Sequence, residues 1–431
     1  MDLKQFKIWL NDYIPNTSIV LFRIVFSFIL LIQTFYFFYN DFISANIIKP
    51  FILFPFIQGL TPPSELTLII IGVIMLIANI GMIINQTARV ALLIFCICFT
   101  YFWLLDKGYF NNHYYFISIV CFLLFLVNTK SSFKQNILVP RLFLLSLQMI
   151  IIIVYFISGI NKLNPYWLFD LQPITHILEV KHAVTNNPIF LQKWLTIAMS
   201  YSGLLFDLFI GFLLIFQPTR TIGFVLVISF NIANFYLFRD VGEIGLFPFL
   251  MMSTLILFTN PNKIRESFGL KTQQQQLYEK SKLINKCILV FLVIQAILPF
   301  RHILFKGNVD YTGVGQRFSW RMKIMYKESM IEYFIVDKIS QQKYSVDITK
   351  MLTPMQYNNL KYYPDLIVPL AKKIQSEARE KFNIKHAKIT CNYKTLFMGK
   401  NPQLLFSPKL DLTNISSKQL TNQWLWDLKK E

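Results

Sequence analysis

The sequence predicts a membrane all-α bundle of about nine transmembrane helices, followed by a small α+β extracytoplasmic domain. Three observations predict it. Of 431 residues, 54% are hydrophobic and only 15% are charged, where a soluble domain carries about 25% charged residues. Apolar runs recur at 17–39, 66–84, 88–106, 112–129, 141–160, 194–216, 220–239, 243–259 and 286–303, most of them near the ~20 residues that a helix needs to cross the hydrocarbon core. Beyond about Phe305 the apolar runs give way to short alternating stretches of strand character.

Taken in order, the first run begins near Ser18, contains Arg23 and lacks a small-residue cleavage site. It therefore reads as a retained helix and not as a signal peptide. Lys and Arg accumulate on the cytoplasmic side of a membrane. With the N-terminus inside, thirteen of them fall on inner segments, among them Lys4, Lys7, Arg89, Lys130, Lys134 and Lys286. Six fall on outer loops: Lys49, Lys107, Lys162, Lys181, Lys193 and Arg239. The N-terminus is thus expected in the cytoplasm, and an odd number of spans puts residues 304–431 outside. The formal net charge of +19 reads as this orientation bias. Nucleic acid is not expected as a partner, since no basic-aromatic module of the known kinds is present. Segment 260–285, with Gln273 to Gln276, reads as a cytoplasmic linker.

The expected domains are 1–303, a polytopic catalytic membrane domain, and 304–431, the extracytoplasmic one. In the second, 333–339 and 344–348 around Gln341-Gln342 read as a hairpin. Residues 354–382 read as helical, interrupted in the first half by Pro364 and Pro369. Residues 387–412 read as a second hairpin turning near Gly399-Lys400-Asn401. Cys96, Cys98, Cys121 and Cys287 lie in apolar runs and Cys391 in the tail. Their spacing implies neither a disulfide framework nor a metal site.

An ionisable group inside a span costs at least about 2.5–3.5 kcal/mol on insertion scales and is kept only where it faces protein or water. Arg23, His113, Lys162, Asp207 and Asn234 stand out on this ground. Arg23 reads as a structural charge that snorkels or pairs with Asp207. His113 and Lys162 share the outer boundary, where they either line one cavity or act as interfacial residues.

Several stretches resemble the vitamin K-dependent γ-glutamyl carboxylase family, with an HTTM-type membrane domain and a lumenal-type C-terminal domain. Phe156-Ile-Ser-Gly-Ile-Asn-Lys-Leu-Asn-Pro-Tyr-Trp167 is similar to the family's Gly-x-x-Lys-Leu-(Asp/Asn)-x-Asp-Trp segment. Asn111-Asn-His113-Tyr-Tyr is similar to its Asn-Asn-His segment. Leu205 to Phe216, Thr219 to Gly223, Ile244 to Phe249, Leu298 to His302, Phe318 to Met322 and Phe406 to Leu412 extend the likeness from about residue 15 to 425. Two positions depart from it. Tyr166 stands where the family has an acidic residue, and Asn231 where it often has histidine.

The resemblance implies an enzyme that couples oxygenation of vitamin K hydroquinone, or a related quinol, to carboxylation of a peptide glutamate. O2 and CO2 are co-substrates, a glutamate-containing protein or peptide is the partner, and no metal is implied. Lys162 falls on the family's catalytic base and His113 on a second active-site residue. Asn234, Asn112, Trp167 and Asp207 would position substrate or cofactor. A lysine acts as a base only when neutral, and the apolar run before Lys162 suits that state. The departures leave open a quinol-binding relative limited to epoxidation or another chemistry. A non-enzymatic membrane binding module is the remaining alternative. No internal repeat of the transporter kind is present.

Overall fold

A computed structural model describes residues 2–127, 134–135, 137–239, 244–270, 276–278, 281–416, 419 and 421–429. The chain divides into two compact units. One comprises Met1–Asn40, Leu66–Thr100 and His113–Pro299, and the other Asp41–Glu65, Tyr101–Asn112 and Phe300–Glu431.

The first unit is helical. Among the described residues, six helices are long and apolar enough to cross a membrane: Thr17–Tyr39, Glu65–Ile83, Arg141–Lys162, Lys193–Ile215, Arg220–Phe238 and Lys282–Leu304. Six therefore meet that standard, against nine expected. The other three runs form shorter apolar helices, Ala88–Leu104, Asn112–Val127 and Phe247–Phe258. The expected run to 129 leaves the described residues after Val127. Outward faces stay apolar: Ile69, Ile70, Val73 and Ile77 on one helix and Val290, Val293 and Ile297 on another are exposed. A helix apolar all round needs protein or lipid on every side. The chain is a multi-pass membrane protein.

Local chemistry sets the ends of these helices. Gln217-Pro218 stops Lys193–Ile215, since proline cannot continue the ladder. Arg220 then donates from Nε to the Leu214 carbonyl at 2.9 Å and from Nη2 to that of Ile215 at 2.9 Å. A cation thus covers carbonyls that the helix end leaves open. A small sheet joins Tyr13–Pro15, antiparallel, to Ile137–Pro140, which pairs in parallel with Gln276–Leu277. Gln276, expected in a linker, is thus a strand residue; Gln273 to Gln275, Lys130 and 240–243 lie outside the described residues.

The second unit holds a four-stranded antiparallel sheet, in the order Lys343–Val346, Lys327–Asp337, Ala387–Phe397, Gln403–Leu404. Its central register runs from Lys327 opposite Phe397 to Asp337 opposite Ala387. Helix Ile367–Phe382 buries Ile367, Leu370, Ala371, Ile374 and Ala378, one stripe at helical spacing. Strand Ala387–Phe397 answers with Ile389, Cys391 and Tyr393 on alternate positions. Both expected hairpins are present, but the first strand begins at Lys327, six residues before 333. Pro369 does not interrupt the helix. It is the third residue of Ile367–Phe382, where an amide would have no intrahelical acceptor.

Two loops of the N-terminal part belong to this unit. Tyr109 Oη donates to Asn46 Oδ1 at 2.8 Å, and Gln356 Nε2 donates to the Ile52 carbonyl at 2.8 Å and to Asp106 Oδ2 at 2.6 Å. Asn359 Nδ2 donates to the Gly108 carbonyl at 2.5 Å. Burial pushes the Asp106 carboxyl up to about 6, against the opposing pull of the Gln356 amide and the Gly108 N–H.

Candidate functional site

Lys162 ends the helix Arg141–Lys162 and is buried, 6% exposed. Its Nζ donates to Asp207 Oδ2, on the helix Lys193–Ile215, and to Ser158 Oγ at 3.3 Å. Asp207 is 4% exposed. The two helices meet through glycine. A Cβ on Gly159 would stand 2.8 Å from the backbone N of Leu208, and one on Gly211 would stand 2.9 Å from Cγ2 of Ile152. Small residues allow such close backbone approach in membranes, and it brings residue 162 within reach of 207. The ion pair is neutral overall. Each charge compensates the other where water cannot, and an unpaired member would be costly.

Trp167 closes one side. Its ring centroid is 5.1 Å from Lys162 Nζ, and its Nε1 donates to the Ser200 carbonyl at 2.9 Å. The turn that aims it is capped by Asn164, whose Oδ1 accepts from the Trp167 amide at 3.0 Å, with Pro165 as the first helical residue. One and two turns before Lys162 stand Ser158 and Tyr155, on the same helix face. Phe206 meets Tyr155 edge-on at 5.4 Å and stacks on Phe230 at 3.9 Å. Asn231 Nδ2 reaches Tyr155 Oη at 3.5 Å.

Of the residues singled out from sequence, Lys162, Asp207 and Trp167 come together. Among the described residues, no contact of His113 with Lys162, Asp207 or Trp167 is present. The contacts of Lys162 are Ser158, Asp207 and Trp167, while the His113 ring stacks on Phe247 with centroids 4.0 Å apart. The Oδ1 of Asn112 is buried with no hydrogen-bond partner among the described residues. Asn234 is half-buried, whereas Asn231, one turn earlier, is buried and turned to Tyr155. Of the two expectations for Arg23, snorkelling or pairing with Asp207, the pairing is corrected. Arg23, 1% exposed, donates from Nη2 to Asn85 Oδ1, and Asp207 takes Lys162 instead. Sequence reading missed Ser158 and Tyr155. Their spacing of four and seven from Lys162 was the available signal.

The second unit has its own cleft of about 270 Å³, lined by Lys107, Arg301, Arg317 and Asp365 with Phe56 and Phe318. Arg317 Nη1 donates to both oxygens of Asp365, at 2.9 and 2.8 Å, and Lys107 Nζ stands 3.5 Å from Asp365 Oδ2. Burial works to raise the Asp365 carboxyl, but Arg317 and Lys107 outweigh it and hold the group below the usual range. Three cations against one carboxylate leave the cleft positive. Phe318 and Trp320 beside it adopt φ of +63° and +52°, a left-handed conformation costly for bulky residues.

The HTTM domain family matches residues 11–262, and the family described as vitamin K-dependent gamma-carboxylase, lumenal domain, matches residues 280–431. No solved structure matches the chain.

Proposed function

The chain belongs to the HTTM family and carries with it the lumenal domain of the vitamin K-dependent gamma-carboxylases; on that premise we propose that it carboxylates glutamate side chains at the expense of a membrane quinol. The observation that carries this reading is the buried Lys162–Asp207 pair beside Trp167. A buried amine hydrogen-bonded to a buried carboxylate suits a lipid-soluble partner with a weakly acidic hydroxyl. The surroundings, Phe206, Phe230 and Trp167, suit its apolar body. When bound, vitamin K hydroquinone supplies the oxygenation by O2 that makes a base strong enough to take a γ-hydrogen from glutamate, a task beyond any side chain. The chain's residues do the rest. The pair accepts a proton at the Asp207 carboxylate while Lys162 Nζ donates to it, Ser158 and Trp167 fix the amine, and the apolar wall excludes water. This modifies the requirement for an uncharged amine: with Asp207 attached, the proton acceptor is the pair.

Lys107, Arg301 and Arg317 support the lumenal cleft as a receiver for the carboxylates of a peptide arriving from outside. His113 and Asn112 remain candidates for a hydrogen bond to substrate, and Asn234 for a weaker one. In this reading the membrane part has nine spans, with the three shorter apolar helices as thin spans. The N-terminus is cytoplasmic, and residues 304–431 are extracytoplasmic.

The test is a carboxylation assay with labelled bicarbonate, a glutamate peptide and reduced vitamin K. Wild type incorporates label, and Lys162→Ala, still inserted, loses about 10²–10⁴-fold of the rate. Equal turnover in that variant removes Lys162 from the mechanism. Asn231 and Tyr166 favour a second reading, quinol oxidation without carboxylation. Oxidation with no label in any peptide would establish it.

A further inference from the structure

Tyr155 is 5% exposed, on the same helix face as Ser158 and Lys162 and within electrostatic reach of Asp207. A phenol is both donor and acceptor. Here the acceptor side is used, since Asn231 Nδ2 donates to Tyr155 Oη at 3.5 Å while also donating to the Val227 carbonyl at 2.9 Å. The donor side is not: among the described residues nothing accepts the Tyr155 proton. A buried donor left unmade is costly in protein and more so in hydrocarbon. Aromatic rings pack beside it. Phe206 closes one flank at 5.4 Å, and Phe206 is itself stacked on Phe230 at 3.9 Å.

We propose that the Tyr155 hydroxyl donates a hydrogen bond to a ring oxygen of the quinone-type cofactor, and that Asn231 is the positioning residue that holds it for that contact. The inference rests on the reading of Lys162 and Asp207 as a quinol site. It adds a ligand contact about two turns deeper along the same helix. The cofactor ring would then meet the ion pair nearer one end and the phenol at the other, which fixes its orientation as well as its place. Asn231 acts only through Tyr155. It is a short amide where a larger side chain would crowd the phenol.

The full chain in detergent, titrated with vitamin K quinone carrying ¹³C at its carbonyls, tests this by binding and by the infrared carbonyl band. In wild type the bound carbonyl absorbs at lower frequency than in an apolar solvent. Tyr155→Phe is expected to reverse that shift and to weaken binding about three- to tenfold, the worth of one neutral hydrogen bond. Asn231→Ala, which leaves the phenol oxygen in place, is expected to broaden the band and weaken binding less. If Tyr155→Phe fails to insert, Asn231→Ala carries the test. An unchanged band and affinity in the variant that inserts overturns the Tyr155 contact while the quinol site stands. Absence of quinone binding to wild type overturns the site itself, and the contact with it.

Discussion

Lys162 and Asp207 occupy positions that a membrane tolerates only as a pair. Removing one partner of a buried pair leaves an uncompensated charge and costs about 3–5 kcal/mol, whereas removing both can be nearly neutral. Thermal stability in detergent is therefore expected to fall more in Lys162→Ala and in Asp207→Ala than in the double variant. Strict additivity of the two losses would deny the pairing. Lys327, in the lumenal sheet opposite Phe397, is a different case. Burial lowers its ammonium to about 7, with Asp310 opposing. Its folded pKa lies below the unfolded value, so between about pH 7 and 10 the unfolded chain holds more protons and stability rises with pH through this group. Lys327→Met is expected to remove that rise, read as the difference between wild-type and variant melting temperatures at pH 7 and pH 9. A difference independent of pH would show that the amine is charged when folded.

Among the elements, the contact between Arg141–Lys162 and Lys193–Ile215 matters most, since it creates the pair. Gly159 is one of the glycines that let the two helices approach. Gly159→Val would drive a side chain into the backbone of residue 208, part the helices and separate Nζ from Oδ2, abolishing activity, while a distant control on an exposed face, such as Val73→Ala, does not. Full activity in Gly159→Val would mean that the helices need not approach so closely. Helix positions were readable because an apolar run is a local signal. Their pairing was not. Asp207 lies 45 positions from Lys162, and nothing in either run states which helix face it presents. This is why Arg23 could be assigned to Asp207 from sequence when Asn85 takes it. In the sheet, the hairpins were readable from their turns, but the pairing of Lys327–Asp337 with Ala387–Phe397 joins strands separated by a helix, and its first six residues were missed. Pro369 misled because its position within a helix, not its presence, decides whether it breaks one.

On the scale of the whole molecule, composition and apolar runs disclosed a membrane part followed by an extracytoplasmic one, and the motif order disclosed the family. Lys162 and Trp167 were legible through the motif they share. The membership of Asp41–Glu65 and Tyr101–Asn112 in the second unit was not legible, because Gln356 and Asn359 bind those loops from some 250 residues away. The positive cleft escaped notice for the same reason: Lys107, Arg317 and Asp365 come from three separate stretches. One unit holds a buried ion pair among aromatic side chains and the other a cationic cleft; in the function proposed, the first would meet the quinol and the second the acidic peptide. The most direct measurement is incorporation of labelled CO2 into a glutamate peptide by purified chain supplied with reduced vitamin K, beside Asp207→Asn. The account predicts label in wild type and a loss of about a hundredfold or more in the variant. Undiminished incorporation by Asp207→Asn would contradict it.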